Sequence, residues 1–354
     1  MTYHEKSLIS HGCRLTFLDL RGDHVKPMDK PSVPLVLCLG NFDGVHKAHQ
    51  NLLRQSLALR DKKFPFGLCG VFTFFYPSSD YLRAQKAPEY SHGDMQSHVI
   101  RRKRGHHKHL STLKEKLAYF AEAGMDFVCL CDFDQIRTLS PEDFLDLLYM
   151  DLGTRGVVCG FNFRFGVGGL GDASQLEAYF TRTVPQAFCE IMPPFCMDGD
   201  VVSSSRIRKM LLSGDVALAS RHMGHPYTLS SMVIHGKQLG RSWGLPTANQ
   251  TFLPESIIPA HGVYAVLCYT PHGVLPGVAN VGSHPTVDDH APVNCETHII
   301  GYDHDLYGYK LKIAFLNRLR GEVKFPSADA LREQIHKDIE DAVAYVKAYL
   351  DRQV

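Results

Sequence analysis

"VPLVLCLGNFDGVHKAHQ", residues 33–50, decides the fold. An apolar run enters a glycine, an acid, a second glycine and two histidines three apart. A short and nearly continuous apolar run marks a parallel strand covered on both faces. Gly40 and Gly44 allow turn conformations that other residues resist. The residues from about 46 to 60 then read as a helix, whose first turn presents unpaired N–H groups and the positive end of its dipole. Strand, tight turn and helix start together make an anion site. His46 and His49, at i and i+3, share one face of it. Imidazole donors there can follow charge that develops on a phosphorus centre and its leaving pyrophosphate. The alternative is a helix cap with two surface histidines.

The same texture continues outward. "GLCGVFTFF" (67–75), "FVCLCDF" (127–133) and "RGVVCG" (155–160) are further buried strands. "STLKEKLAYFAEAG" (111–124) and "SPEDFLDLLYMDLG" (140–153) are helices between them. Ser111 and Ser140 are the expected caps, Pro141 suits a first helical position, and Gly124 and Gly153 suit the ends. Strands alternating with helices predict an α/β doubly wound sheet. The segment 77–110 is polar and aperiodic, and it ends in a basic, histidine-rich tract from His98 to His109. A solvated loop is favoured there over a phosphate or nucleic-acid patch.

From Pro226 onward the pattern changes. "YTLSSMVIHG", "GVYAVLCYT", "GVLPGVANVG", "NCETHIIGY" and "GYKLKIAFL" are short strands jointed by Gly, Pro, Asn and Asp, which predicts a small antiparallel β-barrel. Leu331, Ile335, Ile339, Val343, Val346 and Leu350 recur at helical steps, so a C-terminal amphipathic helix lies on the barrel. The division is expected between 1–224 and 225–354. Length favours two domains, and 44% hydrophobic with 21% charged residues is ordinary globular composition. A net charge of +1 gives no global basic field for nucleic acid. No apolar run reaches the length of a membrane span, and the first residues lack a signal-peptide core. Ten cysteines without C-x-x-C pairs read as reduced, mostly buried thiols, which suggests a cytoplasmic protein.

Two more stretches belong with the first. "VVCGFNFRFGVGGLGD" (157–172) leaves a strand for a loop dense in glycine and aromatics, able to offer ring faces to a flat ligand and amides to phosphate. "VSSSRIRKMLLSGD" (202–215) puts serines at a helix start, with Ser204 or Ser205 as cap, and Arg206 and Arg208 in the first turn. Arginines there oppose the dipole and make better sense beside a bound anion. In the second half, "HGKQLGRSWGLPTAN" (235–249) makes a flexible arch through Gly236, Gly240 and Gly244, stiffened by Pro246 before Thr247 and Asn249. The arch can fold over ATP phosphates, and the Thr247 and Asn249 oxygens suit Mg²⁺. No G-K-[ST] follows, so this is not a Walker loop. Period two puts Glu296 and His298 on one face, where Glu296 can take a proton from a substrate hydroxyl or simply form a surface pair.

In this order, "GNFDGVHKAHQ", "GFNFRFG" and "SSSRIR" resemble the adenylyltransferase half of the bacterial bifunctional riboflavin kinase/FAD synthetase family. "GRSWGLPTAN", "GVYAV", "ANVGSHPT", "CETHI" and "DLYGYKLKIAFLNRLRGEVKF" resemble its riboflavin kinase module. The resemblance spans nearly the whole chain. It implies ATP-dependent phosphorylation of riboflavin to FMN by the C-terminal part and adenylylation of FMN to FAD by the N-terminal part. It implies that His46, His49 and Asn41 bind ATP phosphates, that Ser204 and Arg208 clamp the triphosphate, and that Asn162 and Phe163 lie on the flavin side. Gly240, Gly244, Thr247 and Asn249 would serve ATP in the kinase, with Thr247 and Asn249 on Mg²⁺ and Glu296 as general base. The implied partners are riboflavin, FMN and ATP, with no nucleic acid and no membrane. Ala48 stands where the H-x-G-H signature has glycine, and "FYPSS" where a Pro-His-Pro-like turn is usual. Those departures define one rival, a kinase whose N-terminal half binds nucleotide without catalysis. A non-catalytic flavin-binding regulator is the other.

Overall fold

The computed structural model describes residues 33–74, 108–131, 133–236, 244–252, 255–282 and 293–352, and the backbone of two strands before them. The "FYPSS" turn, most of the 77–110 segment and Gly240 lie outside the described residues. By internal contacts the chain divides into one unit ending at Val202 and a second beginning at Ser203, to which Lys108–Leu110 also belong.

The first unit is built on seven strands: β1 (Leu8–Ser10), β2 (Cys13–Asp19), β3 (Leu35–Leu39), β4 (Leu68–Phe74), β5 (Phe127–Cys131), β6 (Thr154–Gly160) and β7 (Phe188–Met192). They lie in the order β1-β2-β5-β4-β3-β6-β7, parallel except for the β1–β2 pair. All five residues of β3 are buried because both sheet faces are covered. Leu35, Leu37 and Leu39 pack with Phe72, Phe144 and Phe180. Val36 and Cys38 pack with Leu53, Val71 and Phe120. Each such side chain stabilises the unit by about 1.5–3 kcal/mol on burial.

The longer helices are α1 (Lys47–Lys63), α2 (Leu113–Glu122), α3 (Pro141–Asp146) and α4 (Ala173–Arg182), with one short turn of helix at Phe133–Ile136. Two local expectations need correction. The cap of α2 is Thr112, whose side chain accepts from Glu115 N–H while Glu115 reaches back, so Ser111 is left for another task. The 140–153 helix is not uniform: after α3, capped by Ser140 as expected, Leu147–Asp151 widens to a π-helical turn. Eight of the nine described cysteines are buried free thiols, and Cys196 is the exposed one.

In the second unit, α5 (Ser204–Ser213) and α6 (Val216–Met223) precede a closed six-stranded antiparallel barrel. Its strands are β8 (Tyr227–Ile234), β9 (Ala248–Thr251), β10 (Gly262–Thr270), β11 (Gly273–Gly282), β12 (Asn294–Ile299) and β13 (Lys310–Arg320), in the order β8-β9-β12-β11-β10-β13. The "PTAN" stretch thus supplies a strand of its own. Helix α7 (Ala328–Asp351) covers part of the outer face. Its buried stripe is the expected one only in part: Ile339 and Val346 lie on the barrel as expected. Asp338, Ala342 and Val346 are buried, with Ile339, Tyr345 and Tyr349 packed beside them, whereas Val343 and Leu350 are exposed.

Asp338 is buried because Arg320 of β13 meets it in a fork, Nε to Oδ1 at 3.0 Å and Nη2 to Oδ2 at 2.8 Å, with Gln334 Nε2 donating at 2.9 Å. The expected result for Asp338→Ala is a loss of about 3–5 kcal/mol, because the guanidinium is left uncompensated in a covered site. Denaturant unfolding followed in the barrel unit measures it. A loss below about 1 kcal/mol would class the pair with solvent-screened surface bridges.

Candidate functional sites

In the first unit, β4 lies on one side of β3 and β6 on the other. The connections leaving β3 and β6 therefore diverge, which opens a crevice at the carboxyl ends of these strands. The 40–46 turn leaves β3 there, and the glycine–aromatic loop leaves β6 beside it, since Leu39 pairs with Cys159. The turn is strained. Phe42 (φ 51°) and Val45 (φ 37°) occupy the left-handed region, at a cost of about 1–3 kcal/mol each. Gly44 (φ 80°) meets the same demand without that penalty. Bonds from four residues hold the turn. Gly44 N–H donates to Ser111 Oγ at 3.0 Å. The Asn41 carbonyl accepts from Thr73 Oγ1 at 3.2 Å and from Lys116 Nζ at 2.9 Å. Gln50 Nε2 donates to the Val45 carbonyl at 2.8 Å.

His46 is the N-cap of α1 and is buried, and its Nδ1 accepts from His49 N–H at 3.4 Å. The two imidazoles stack with centroids 3.6 Å apart and planes 14° from parallel. Nδ1 of His49 is buried without a hydrogen-bond partner. Burial first, and then His46 and Lys116, hold His49 well below the usual histidine range. A tightly spaced imidazole pair, of which His49 is held neutral, thus sits at the start of a helix. Lys116 was missed in the sequence, although a signal existed: it falls on the same face of α2 as Leu113, Leu117 and Phe120.

Asn162 is exposed at the head of the loop. Phe163 is partly buried and faces the core, 6.0 Å from the Phe165 ring and 6.5 Å from that of Phe144. Its neighbour Phe161 is half exposed instead. The serine–arginine motif belongs to the second unit. Its cap is Ser203, which accepts from Arg206 N–H, so Ser204 opens the helix itself and neither expected serine is the cap. Arg208 Nε donates to the Lys108 carbonyl at 2.9 Å, securing the end of the 77–110 segment.

The barrel site lies on the outer face. Asn249 of β9 and Asn280 of β11 stand opposite Glu296 of β12, one on each side. Directly opposed residues project to the same face with Cβ atoms about 4.5–5.5 Å apart. Asn294, unremarked in the sequence, joins the group: its Nδ2 donates to Asn249 Oδ1 at 3.2 Å and to Glu296 Oε1 at 3.4 Å. That bond turns the Asn249 carbonyl oxygen toward Asn294, while Asn249 Nδ2 faces the Thr247 carbonyl at 3.5 Å. A Cβ on Gly236 would collide with the Asn249 amide, so the root of the arch packs directly on it. His298 donates from Nδ1 to the Pro246 carbonyl at 2.9 Å and so props the turn before Thr247. Thr247 is partly exposed and Gly244, at φ 74°, is exposed.

The donor set bears on the metal question. Among the described residues no three His, Cys, Asp or Glu side chains gather in a metal cluster. The hydroxyl and amide oxygens of Thr247 and Asn249, near one carboxylate, fit a hard cation that takes few protein ligands and completes its shell with water and phosphate.

Two family models match the chain, FAD synthetase over residues 29–206 and riboflavin kinase over 223–346. The bifunctional riboflavin kinase/FMN adenylyltransferase of Escherichia coli (strain K12) is 34% identical over 328 residues, covering 90% of this chain and 95% of that protein. The Bacillus subtilis (strain 168) protein of the same name is 31% identical over 318 residues, covering 88% and 92%. A crystal structure titled as a macrolide-efflux protein from Streptococcus pneumoniae is similar with a TM-score of 0.75 at 29% identity, covering 92% of this chain and 97% of that one. No helix among the described residues is long and apolar enough to cross a membrane.

Proposed function

The chain belongs to the bifunctional riboflavin kinase/FMN adenylyltransferase family, and from that premise we propose which residues carry each reaction. The enzyme phosphorylates riboflavin to FMN with ATP in its C-terminal part and adenylylates FMN to FAD in its N-terminal part. Neither the kinase with an idle N-terminal half nor the non-catalytic regulator is favoured, because both family models match.

In the kinase, Glu296 takes the proton of the ribityl 5′-hydroxyl as that oxygen attacks the γ-phosphorus of ATP, and ADP leaves. The observation that supports this most directly is the triad on the barrel's outer face, in which Asn294 donates to both Asn249 and Glu296. Thr247 and Asn249 would hold Mg²⁺, which when bound neutralises phosphate charge and keeps the reacting groups in line. Gly236 keeps the arch close to Asn249, and Gly240 and Gly244 would serve the ATP phosphates.

In the adenylyltransferase, an FMN phosphate oxygen attacks the α-phosphorus of ATP and pyrophosphate leaves. His46, His49 and the N–H groups opening α1 donate to the phosphates, with Asn41 in the same turn. Asn162, exposed at the head of the glycine–aromatic loop, would meet the flavin, with Phe163 packed behind it against Phe144 and Phe165. Ala48, on the first turn of α1, replaces a glycine without disturbing the helix. Buried free thiols support a cytoplasmic setting.

The test is direct. Full-length protein incubated with riboflavin, ATP and Mg²⁺ should yield FMN and then FAD on chromatographic separation. FMN alone would remove adenylyl transfer from the N-terminal part, and no turnover of riboflavin would remove the kinase assignment.

A further inference from the structure

One buried charge has no part in the reactions just described. Lys116 projects from α2 with 3% of its surface exposed. Its Nζ donates to the carbonyl of Asn41 at 2.9 Å and to that of Phe74 at 3.4 Å. Asn41 begins the turn after β3, and Phe74 ends β4. Taking an ammonium out of water costs several kcal/mol, a cost that an apolar residue in the same helix stripe would not incur.

We propose that Lys116 is a positioning residue for adenylyl transfer, a buried cation that fixes the 40–46 turn through the Asn41 carbonyl and so holds the stacked His46–His49 pair in place. This rests on the assignment of adenylyl transfer to that turn. The mechanical part follows from the strain at Phe42 and Val45, which persists only where surrounding bonds impose it. Lys116 and Thr73 both donate to the Asn41 carbonyl.

The electrostatic part follows from the company Lys116 keeps. The titratable and charged groups that face it and the histidines, among the described residues, are Asp43 and His46 from the turn and His49 from α1. Burial draws the Lys116 ammonium down to about 8, with Asp43 opposing, so it is still charged near neutral pH. That charge works against a proton on His49. An arriving triphosphate brings the opposite charge, which offsets Lys116 and favours protonation of His49. His49 thus gains charge with the anion present and sheds it when the site is empty.

Lys116→Gln and Lys116→Arg in the full-length enzyme test this. Three quantities are measured: kcat/KM for FMN adenylylation, the riboflavin kinase rate of the same sample, and the pH titration of the His49 ring by NMR, assigned by its loss in His49→Gln. Lys116→Gln keeps a donor for Asn41 without charge. It should lower kcat/KM for FAD formation by about tenfold, up to the 10²-fold that a small misplacement costs. It should also move the His49 titration to higher pH and leave riboflavin phosphorylation intact. Lys116→Arg should return the titration toward wild type. An unmoved His49 titration in Lys116→Gln, or FAD formation at the wild-type rate, overturns the proposal. Should Lys116→Gln fail to fold, Lys116→Arg decides, and a displaced titration there is equally fatal. A wild-type enzyme that makes no FAD would instead refute the assignment of the turn, a result distinct from either.

Discussion

In Glu296→Ala, riboflavin phosphorylation falls by about 10²–10⁴-fold, the usual worth of a positioned general base, while conversion of supplied FMN to FAD continues. The reasoning starts from strand geometry. Glu296 is flanked across the ladder by Asn249 and Asn280, so the acid and the amide share a face whatever the nearby loops do. Asn294 tethers Glu296 and Asn249 together, and removing the carboxylate frees one of its bonds. Glu296→Gln separates the two effects. It keeps an acceptor for Asn294 and the side-chain volume, but it cannot take a proton. If Gln restores phosphorylation, Glu296 orients Asn249 and is not the base. If Ala abolishes both reactions, the two sites are not independent. Each variant is scored by FMN formed from riboflavin and FAD formed from FMN on one protein sample.

The fold was legible where hydrophobic period and turn chemistry agreed. Buried runs such as Leu35–Leu39 and Phe127–Cys131 could belong only to strands covered on both faces, and the jointed short strands after Pro226 could hardly close except as a barrel. Errors came where two residues competed for one task. Ser111 and Thr112 both suit a cap, but only Thr112 has a Glu three positions on, which frees Ser111 to receive the Gly44 amide. In the 203–205 run it is Ser203 that caps, a choice composition cannot make. The α7 stripe was read only in part: Ile339 and Val346 pack as expected, but Asp338 looks like a solvent residue until Arg320, distant in sequence, is seen beside it. Lys116 and Asn294 escaped for the same reason. Their roles depend on partners brought by other strands, and a one-dimensional pattern records polarity without recording what satisfies it.

The companion variant is His46→Asn, in which FAD formation falls by about 10²–10³-fold, the range for losing one donor to developing charge, while riboflavin phosphorylation is unchanged. Asparagine is chosen because His46 does two things. It caps α1 through Nδ1, and it stacks on His49. His46→Ala would remove the cap as well, at about 0.5–2 kcal/mol, and a slow enzyme could then be merely a loosened one. Asparagine is a strong N-cap, so the melting temperature should stay near wild type while the rate falls. A second readout comes from acid. The folded pKa of His49 lies below its ordinary value of 6.5, so as pH falls through that value the unfolded chain takes up a proton that the folded one refuses. Stability from this group is therefore complete above about 6.5 and declines as the pH drops toward the depressed folded value. His46 is one of the causes of that depression, so the asparagine variant should tolerate acid better than wild type even as it loses FAD synthesis. A variant that keeps wild-type FAD synthesis would take His46 out of the chemistry. One that loses synthesis together with melting temperature would reduce it to a cap.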